Sequence, residues 1–195
     1  MKIKLLETIK CLDGEAQNLL YHQRRVKYSL STLGANNFHN LSELIKAPSE
    51  GLFRCRVIYD EFNTDIEYIK YIPRAIKSIK IVHENNINYS LKYSNRDAIN
   101  TLFSKRLECD DILIVKNSLI ADTTIANIAL FNGDRWVTPK KPLLYGTTRA
   151  RLLDEGMIVE DDINIDELYK YTKVAIMNAM IGFKEVGLIE EALRT

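Results

Sequence analysis

The chain has little that would draw it to a charged polymer or a membrane. Its 27 Lys and Arg balance 26 Asp and Glu, a formal net charge of +1. That supplies no general attraction to nucleic acid or to an anionic bilayer. No apolar run approaches the roughly 20 residues of a membrane span, and the longest uncharged runs are strand-sized. The start, MKIKLLETIK, interleaves charges with apolar side chains and lacks an apolar h-region, so no secretory signal is expected. Cysteine is scarce: Cys11, Cys55 and Cys109 are far apart in sequence and odd in number. No pair has metal-ligand spacing, so no metal site is expected, and buried thiols in a reducing cytoplasm are. Repeats and low-complexity tracts are missing too. What remains is ordinary for a globular protein: 46% hydrophobic and 27% charged in 195 residues. That length allows one large domain or two small ones, with a proper core.

The most strongly patterned stretch is residues 110–136, DDILIVKNSLIADTTIANIALFNGDRW. It reads as a meander of short strands. Ile112-Leu113-Ile114-Val115 is an apolar β-branched run, and Lys116-Asn117-Ser118 is a tight turn. Residues 127–131 form a second run closed by Asn132-Gly133-Asp134, where Asn-Gly is a strong hairpin signal. Asp122-Thr123-Thr124 lies between strands that should be buried, so its carboxylate needs a charged or hydrogen-bonded partner.

Taken in order, residues 3–12 read as a strand ended by Asp13-Gly14. Residues 18–33 form a helix with Leu19, Val26, Leu30 and Leu33 on one face, Asn18 as cap and Gly34 at C′. His22 and Arg25, three apart, share a face. Residues 40–47 suggest a second short helix. Residues 51–59, 66–72 and 76–82 suggest strands, with Arg54 and Arg56 on one side of the first. Residues 84–88 are polar and irregular, a plausible linker. After it comes a helix with Ile99, Leu102, Phe103 and Leu107 as its stripe. The meander follows, then a helix starting at Gly146-Thr147-Thr148, a short helix over 163–170 and a buried strand over 174–177. A helical tail with Ile189 and Leu193 on its apolar side closes the chain.

Singly, each candidate is ordinary. A lysine such as Lys92 is usually surface, and Arg24-Arg25 on a helix is usually a solvated face. Gly146-Thr147-Thr148 could be a mere cap, although a helix start also presents N–H groups to a phosphate. Asp122 could satisfy turn N–H groups and nothing else. His22 suits packing or hydrogen bonding better than base catalysis. The spacings of a metal site, a hydrolase triad and a phosphate-binding P-loop are not found.

Jointly, the candidates match a known arrangement. HQRR at residues 22–25 resembles an H-x-x-R motif, and LKYSNR at 91–96 resembles a Schiff-base lysine segment. IADTTIANIALF at 120–131 resembles T-E-x-x-x-x-N, and WVTP with GTTRARLL, residues 136–153, resembles V-x-T-P…G-I-T-R. In order and spacing the chain resembles the class IV (fold type IV) pyridoxal-phosphate enzymes. That family holds branched-chain and D-amino acid aminotransferases and 4-amino-4-deoxychorismate lyases. The likeness runs from about residue 6 to about residue 182. It implies a short form lacking one or two first strands.

The resemblance implies pyridoxal 5'-phosphate carried on Lys92. Free lysine has a pKa of about 10.4, and a cationic ring with partial burial would depress it. It implies Arg25, Thr147 and Thr148 at the phosphate, with Thr123 and Asn178 also at the cofactor. The ring nitrogen must stay protonated for the cofactor to act as an electron sink, which assigns Asp122. The family's usual residue there is glutamate, one methylene longer, so either the ring sits closer or a water intervenes.

Residues 176–180 (IMNAM) and K-x-x-N-R at 92–96 look more like the lyase members. The reaction implied converts 4-amino-4-deoxychorismate to 4-aminobenzoate, which feeds folate synthesis, plus pyruvate. Arg54, Arg56 and Arg96 are candidates for the two substrate carboxylates. An aminotransferase on D- or branched-chain amino acids is the first alternative, and a non-catalytic binding module that keeps the fold is the second. The architecture expected is two-domain α+β, of the D-amino acid aminotransferase-like type. Residues 1–86 would form an α+β domain, and 87–195 a pseudo-barrel of meandering strands with helices. The cofactor is expected between them, in a cytoplasmic homodimer acting on a small molecule, with no nucleic acid and no membrane as partner.

Overall fold

Residues 3–194 are described by a computed structural model of the chain. It divides into two compact units. The first runs to Pro73 and takes back Leu91–Asn95; the second holds Arg74–Ser90 and the chain from Arg96 onward.

In the first unit, β1 (Leu5–Leu12) turns through Asp13 and Gly14, both at positive φ, into β2 (Glu15–Ala16). Then come α1 (Leu19–Thr32), α2 (Leu41–Leu44), β3 (Leu52–Tyr59) and β4 (Thr64–Lys70). The sheet is antiparallel in the order β2-β1-β3-β4. Side chains alternate between its faces. Leu5, Ile9, Cys11, Cys55, Val57 and Tyr59 therefore share one face, which packs with Val26 and Leu30 of α1. Cys11 and Cys55 are buried free thiols. Gly34 closes α1 in the left-handed region, with Ala35 N bonded to Leu30 O at 3.0 Å, as its position predicts. Two expectations change. Asn18 is itself left-handed (φ 55°) and its side chain makes no cap, because capping needs an extended backbone. Leu33, past the last turn, is exposed.

The second unit is built round a nine-stranded sheet. It opens with β5 (Ile79–His83), α3 (Asp97–Phe103) and a 3-10 turn (Ser104–Arg106). The meander is β6 (Asp111–Lys116), β7 (Leu119–Thr123), β8 (Asn127–Phe131) and β9 (Trp136–Pro139). Next are α4 (Thr147–Asp154), β10 (Ile158–Asp161) and a 3-10 helix (Ile165–Lys170). The chain ends with β11 (Lys173–Asn178), β12 (Gly182–Leu188), α5 (Ile189–Ala192) and β13 (Leu193–Arg194). The main path is β10-β9-β8-β7-β6-β5-β13, with β11 between β8 and β12. Ile112 to Val115 are fully buried on both faces of β6, which explains their unbroken apolar run. Asn117 and Ser118, at φ 50° and 63°, make the tight β6–β7 turn.

The unit boundary falls at Pro73/Arg74 rather than near residue 86, because β5 pairs in parallel with β6. The expected linker belongs to that second unit: Glu84 N donates to Val115 O, and Asn85 Oδ1 accepts from Asn117 N. The stripe of α3 stops early, since Leu107 is 71% exposed at φ 54°. The expected helical tail is mostly strand β12, which pairs with β11, and one turn of α5. Among the described residues no helix is long and apolar enough to cross a membrane.

Candidate functional site

Buried polar groups in both units bear on the sequence candidates. In the first, Glu7 lies on the apolar face of β1 and is fully buried. A lone carboxylate there would be costly. It is answered from α1, where His22 and Arg25 sit one turn apart. Arg25 Nε donates to Glu7 Oε1 at 2.8 Å, and Arg25 Nη2 donates to Oε2 at 2.6 Å. His22 Nδ1 is 2.6 Å from Oε2. Burial pushes the Glu7 carboxyl up, but the Arg25 charge and the His22 and Arg25 hydrogen bonds outweigh it and bring it down to about 2. Burial pushes His22 below its ordinary value, against Glu7 and with the positive charges of Arg25 and Lys92. A carboxylate can only accept, so the neutral ring donates its Nδ1–H.

Lys92 belongs to this unit and is half-buried. Its segment is fixed along the start of β1. Leu6 N donates to Lys92 O at 2.8 Å, Ser94 N donates to Lys4 O at 2.9 Å, and Tyr93 bridges to Leu5.

In the second unit the focus is Asp122 on β7. Its Oδ1 accepts from Asn127 Nδ2 at 2.7 Å and its Oδ2 from Leu144 N at 2.9 Å. Asn127, its cross-strand neighbour, also donates to Leu144 O at 2.8 Å. Both donors to Asp122 are neutral. Burial therefore pushes the carboxyl up to about 7, against those bonds and the more distant Arg149 charge. Gly146 is required beside it: a Cβ there would lie 1.9 Å from Asn127 Oδ1. Gly146 also starts α4 without a side-chain cap. The first N–H groups of a helix have no partner inside it. Thr147 and Thr148, both buried, lie at this end. Buried Arg149 pairs with Glu160 and donates to Pro139 O at 2.8 Å.

The remaining sequence candidates fall as follows. Thr123 closes the β7–β8 turn, its Oγ1 donating to Ala126 O and accepting from Ala126 N, both at 3.1 Å. Asn178 is used by a turn as well: Oδ1 accepts from Met180 N and Ile181 N, and Nδ2 donates to Ile125 O. Arg54 and Arg56 lie on the sheet face opposite α1, Arg56 paired with Glu67 at 2.9 Å. Arg96 Nη2 donates to Thr124 O at 2.8 Å, and Thr124 Oγ1 to the buried Asp111 at 2.6 Å. Sequence reading missed Glu7, and it met Asn127 as the asparagine of the T-E-x-x-x-x-N segment, with no role assigned. The signal for Glu7 was its place in the alternation Leu5, Glu7, Ile9, Cys11, which turns a charge inward. Among the described residues no cluster of His, Cys, Asp and Glu is placed to hold a metal ion.

Arg25, which answers the buried Glu7, and Asp122, which has neutral donors, stand on motifs read from the sequence as those of one family. The family model described as Amino-transferase class IV matches residues 57–189, and the chain belongs to that family. A Haemophilus influenzae protein of uncharacterized function is 39% identical over 184 residues, covering 91% of this chain and 98% of that one. The aminodeoxychorismate lyase of Saccharomyces cerevisiae is 26% identical over 222 residues. That match covers 93% of this chain and 58% of the yeast enzyme. The crystal structure of a Haemophilus somnus 129PT protein, provisionally described as a 4-amino-4-deoxychorismate lyase, superposes with a TM-score of 0.88. It is 33% identical, over 93% of this chain and 98% of that one.

Proposed function

We propose that this chain is a pyridoxal-phosphate-dependent lyase that splits 4-amino-4-deoxychorismate into 4-aminobenzoate and pyruvate. Class IV aminotransferases and their lyase relatives work with this cofactor. The lyase reading is supported by the names of the yeast and Haemophilus somnus proteins. The observation that carries the cofactor is Asp122. It is a buried carboxyl whose donors, among the described residues, are neutral, held at about 7 by burial. A cation at that carboxyl would restore the ionised form, and a protonated pyridine is such a cation. The donor set at the start of α4 fits a phosphate as well.

Pyridoxal phosphate, when bound, supplies the electron sink that stabilises a carbanion beside the substrate amine. Lys92 would be the amine that holds the cofactor, and its Nζ, once free, would take the proton from the reacting carbon. Asp122 would pair with the ring nitrogen and keep it protonated. Arg25, the Thr148 hydroxyl and the N–H groups of Thr147 and Thr148 would hold the phosphate. Arg54, Arg56 and Arg96 are the cations proposed for the substrate carboxylates. Thr123 and Asn178 shape the turns around the site. The reading includes a cytoplasmic homodimer, checked by light scattering of the purified protein, and a product that feeds folate synthesis.

Purified protein given the cofactor should show a visible absorbance band, which Lys92→Ala abolishes. A colourless wild type would sink the enzymatic reading. Pyruvate released from 4-amino-4-deoxychorismate without any oxo-acid acceptor identifies the lyase. Turnover that demands a stoichiometric oxo acid would replace it with an aminotransferase.

A further inference from the structure

We infer that Glu7 is a positioning residue for the cofactor phosphate, acting through Arg25. The inference rests on the reading of Arg25 given above and adds a residue to it. Glu7 sits among fully buried apolar side chains: Leu5 and Ile9 beside it on β1, and Val57 opposite on β3. Its carboxylate accepts every bond described for it from α1, two from Arg25 and one from His22. The fork engages Nε and Nη2 of one planar guanidinium. That fixes the plane of the group and therefore the direction of Nη1. Arginine otherwise loses much rotamer freedom when it grips a ligand. Here the loss is taken on folding, because β1 and α1 are packed together through the core of the first unit. His22 completes the clamp by holding Oε2 from the next turn back. Glu7 thus orients a cation without approaching the reacting atoms.

The test compares pyridoxal 5'-phosphate with pyridoxal, which lacks the phosphate, on full-length protein freed of cofactor, with binding followed by visible absorbance. Wild type should prefer the phosphorylated form, and Arg25→Ala should remove that preference. Glu7→Gln should weaken pyridoxal phosphate binding by about tenfold or more. Its pyridoxal affinity should stay within about twofold of wild type. Equal weakening of both ligands means a general packing role and overturns the inference; so does no weakening of either. Glu7→Asp, which keeps the charge but retracts it by a methylene, should show the same selective loss in smaller degree. If Glu7→Gln does not fold, an unchanged ligand preference in Glu7→Asp overturns the inference. If wild type has no preference, or Arg25→Ala retains it, the reading of Arg25 is what fails.

Discussion

Replacing Asp122 with Asn should stabilise the cofactor-free protein near pH 8 while destroying its activity. The Asp122 carboxyl is pushed from 3.8 to about 7 by burial. An acid whose folded pKa is raised binds its proton more tightly in the native state. Its contribution is therefore fully present below pH 3.8 and lost as pH rises to about 7. Each pH unit in that window is worth about 1.4 kcal/mol, so the ionised form costs the native state about 4 kcal/mol above pH 7. Asn removes the titration but adds a cost of its own. Its NH2 cannot accept, so either Asn127 Nδ2 or Leu144 N loses its acceptor, at about 1–3 kcal/mol. A net gain of roughly 1–3 kcal/mol at pH 8 follows, a few degrees in melting temperature for a chain this size. The assay is thermal and urea unfolding of both proteins, free of cofactor, from pH 5 to pH 8. The stability of wild type relative to Asn should fall by about 1.4 kcal/mol per unit up to pH 7 and then level off. A difference that is flat across this range refutes the argument. So does full turnover by Asp122→Asn, since the ring nitrogen would then have another partner.

Two further substitutions test the packing around the site. Gly146→Ala suits the backbone, at φ −72°, yet its Cβ would meet Asn127 Oδ1 at 1.9 Å. Asn127 must move and release Asp122, which should cost about 1–3 kcal/mol in urea unfolding; an unchanged midpoint contradicts the geometry. Glu155→Gln breaks an i,i+4 ion pair with Arg151 at 2.8 Å whose Glu155 end is 42% exposed. It should change stability by no more than about 0.5 kcal/mol, and a larger loss in the same assay would show that exposure was misjudged.

The meander was legible because local signals agree with the tertiary outcome. Ile112 to Val115 are apolar, three of the four β-branched, in a strand buried on both faces, and Asn117-Ser118 accept the positive φ that the turn demands. The strand Gly182–Leu188 was not legible, since Gly182, Lys184, Glu185 and Gly187 give neither a clean alternation nor β propensity. Its pairing with β11 supplies what the residues lack. The unit boundary was hidden for a related reason. The parallel pairing of Ile79–His83 with Asp111–Lys116 joins segments far apart in sequence, and a polar stretch between them looks like a linker when it is a connection.

The candidate site divides in the same way. Arg25, Lys92 and Asp122 were proposed from motif order, which points to candidate residues but not to what holds each group in place. Glu7 shows the gap. Read along the chain it is one charge in LLETIK; read by the strand period it shares a face with Leu5, Ile9 and Cys11. An inward carboxylate needs a cation or hydrogen-bond donors, and among the charged residues of the helix that follows, His22 and Arg25 have the spacing to meet one acceptor together. Asp122 faces inward by the same logic, yet the groups at hydrogen-bond distance are the neutral amide of Asn127 and the N–H of Leu144. The contrast between the carboxyls sorts their roles. Glu7, already at about 2, is satisfied by its own chain and can orient a neighbour. Asp122, at about 7, has neutral donors at the hydrogen-bond distances described, so its ionised form is the one an added cation would stabilise.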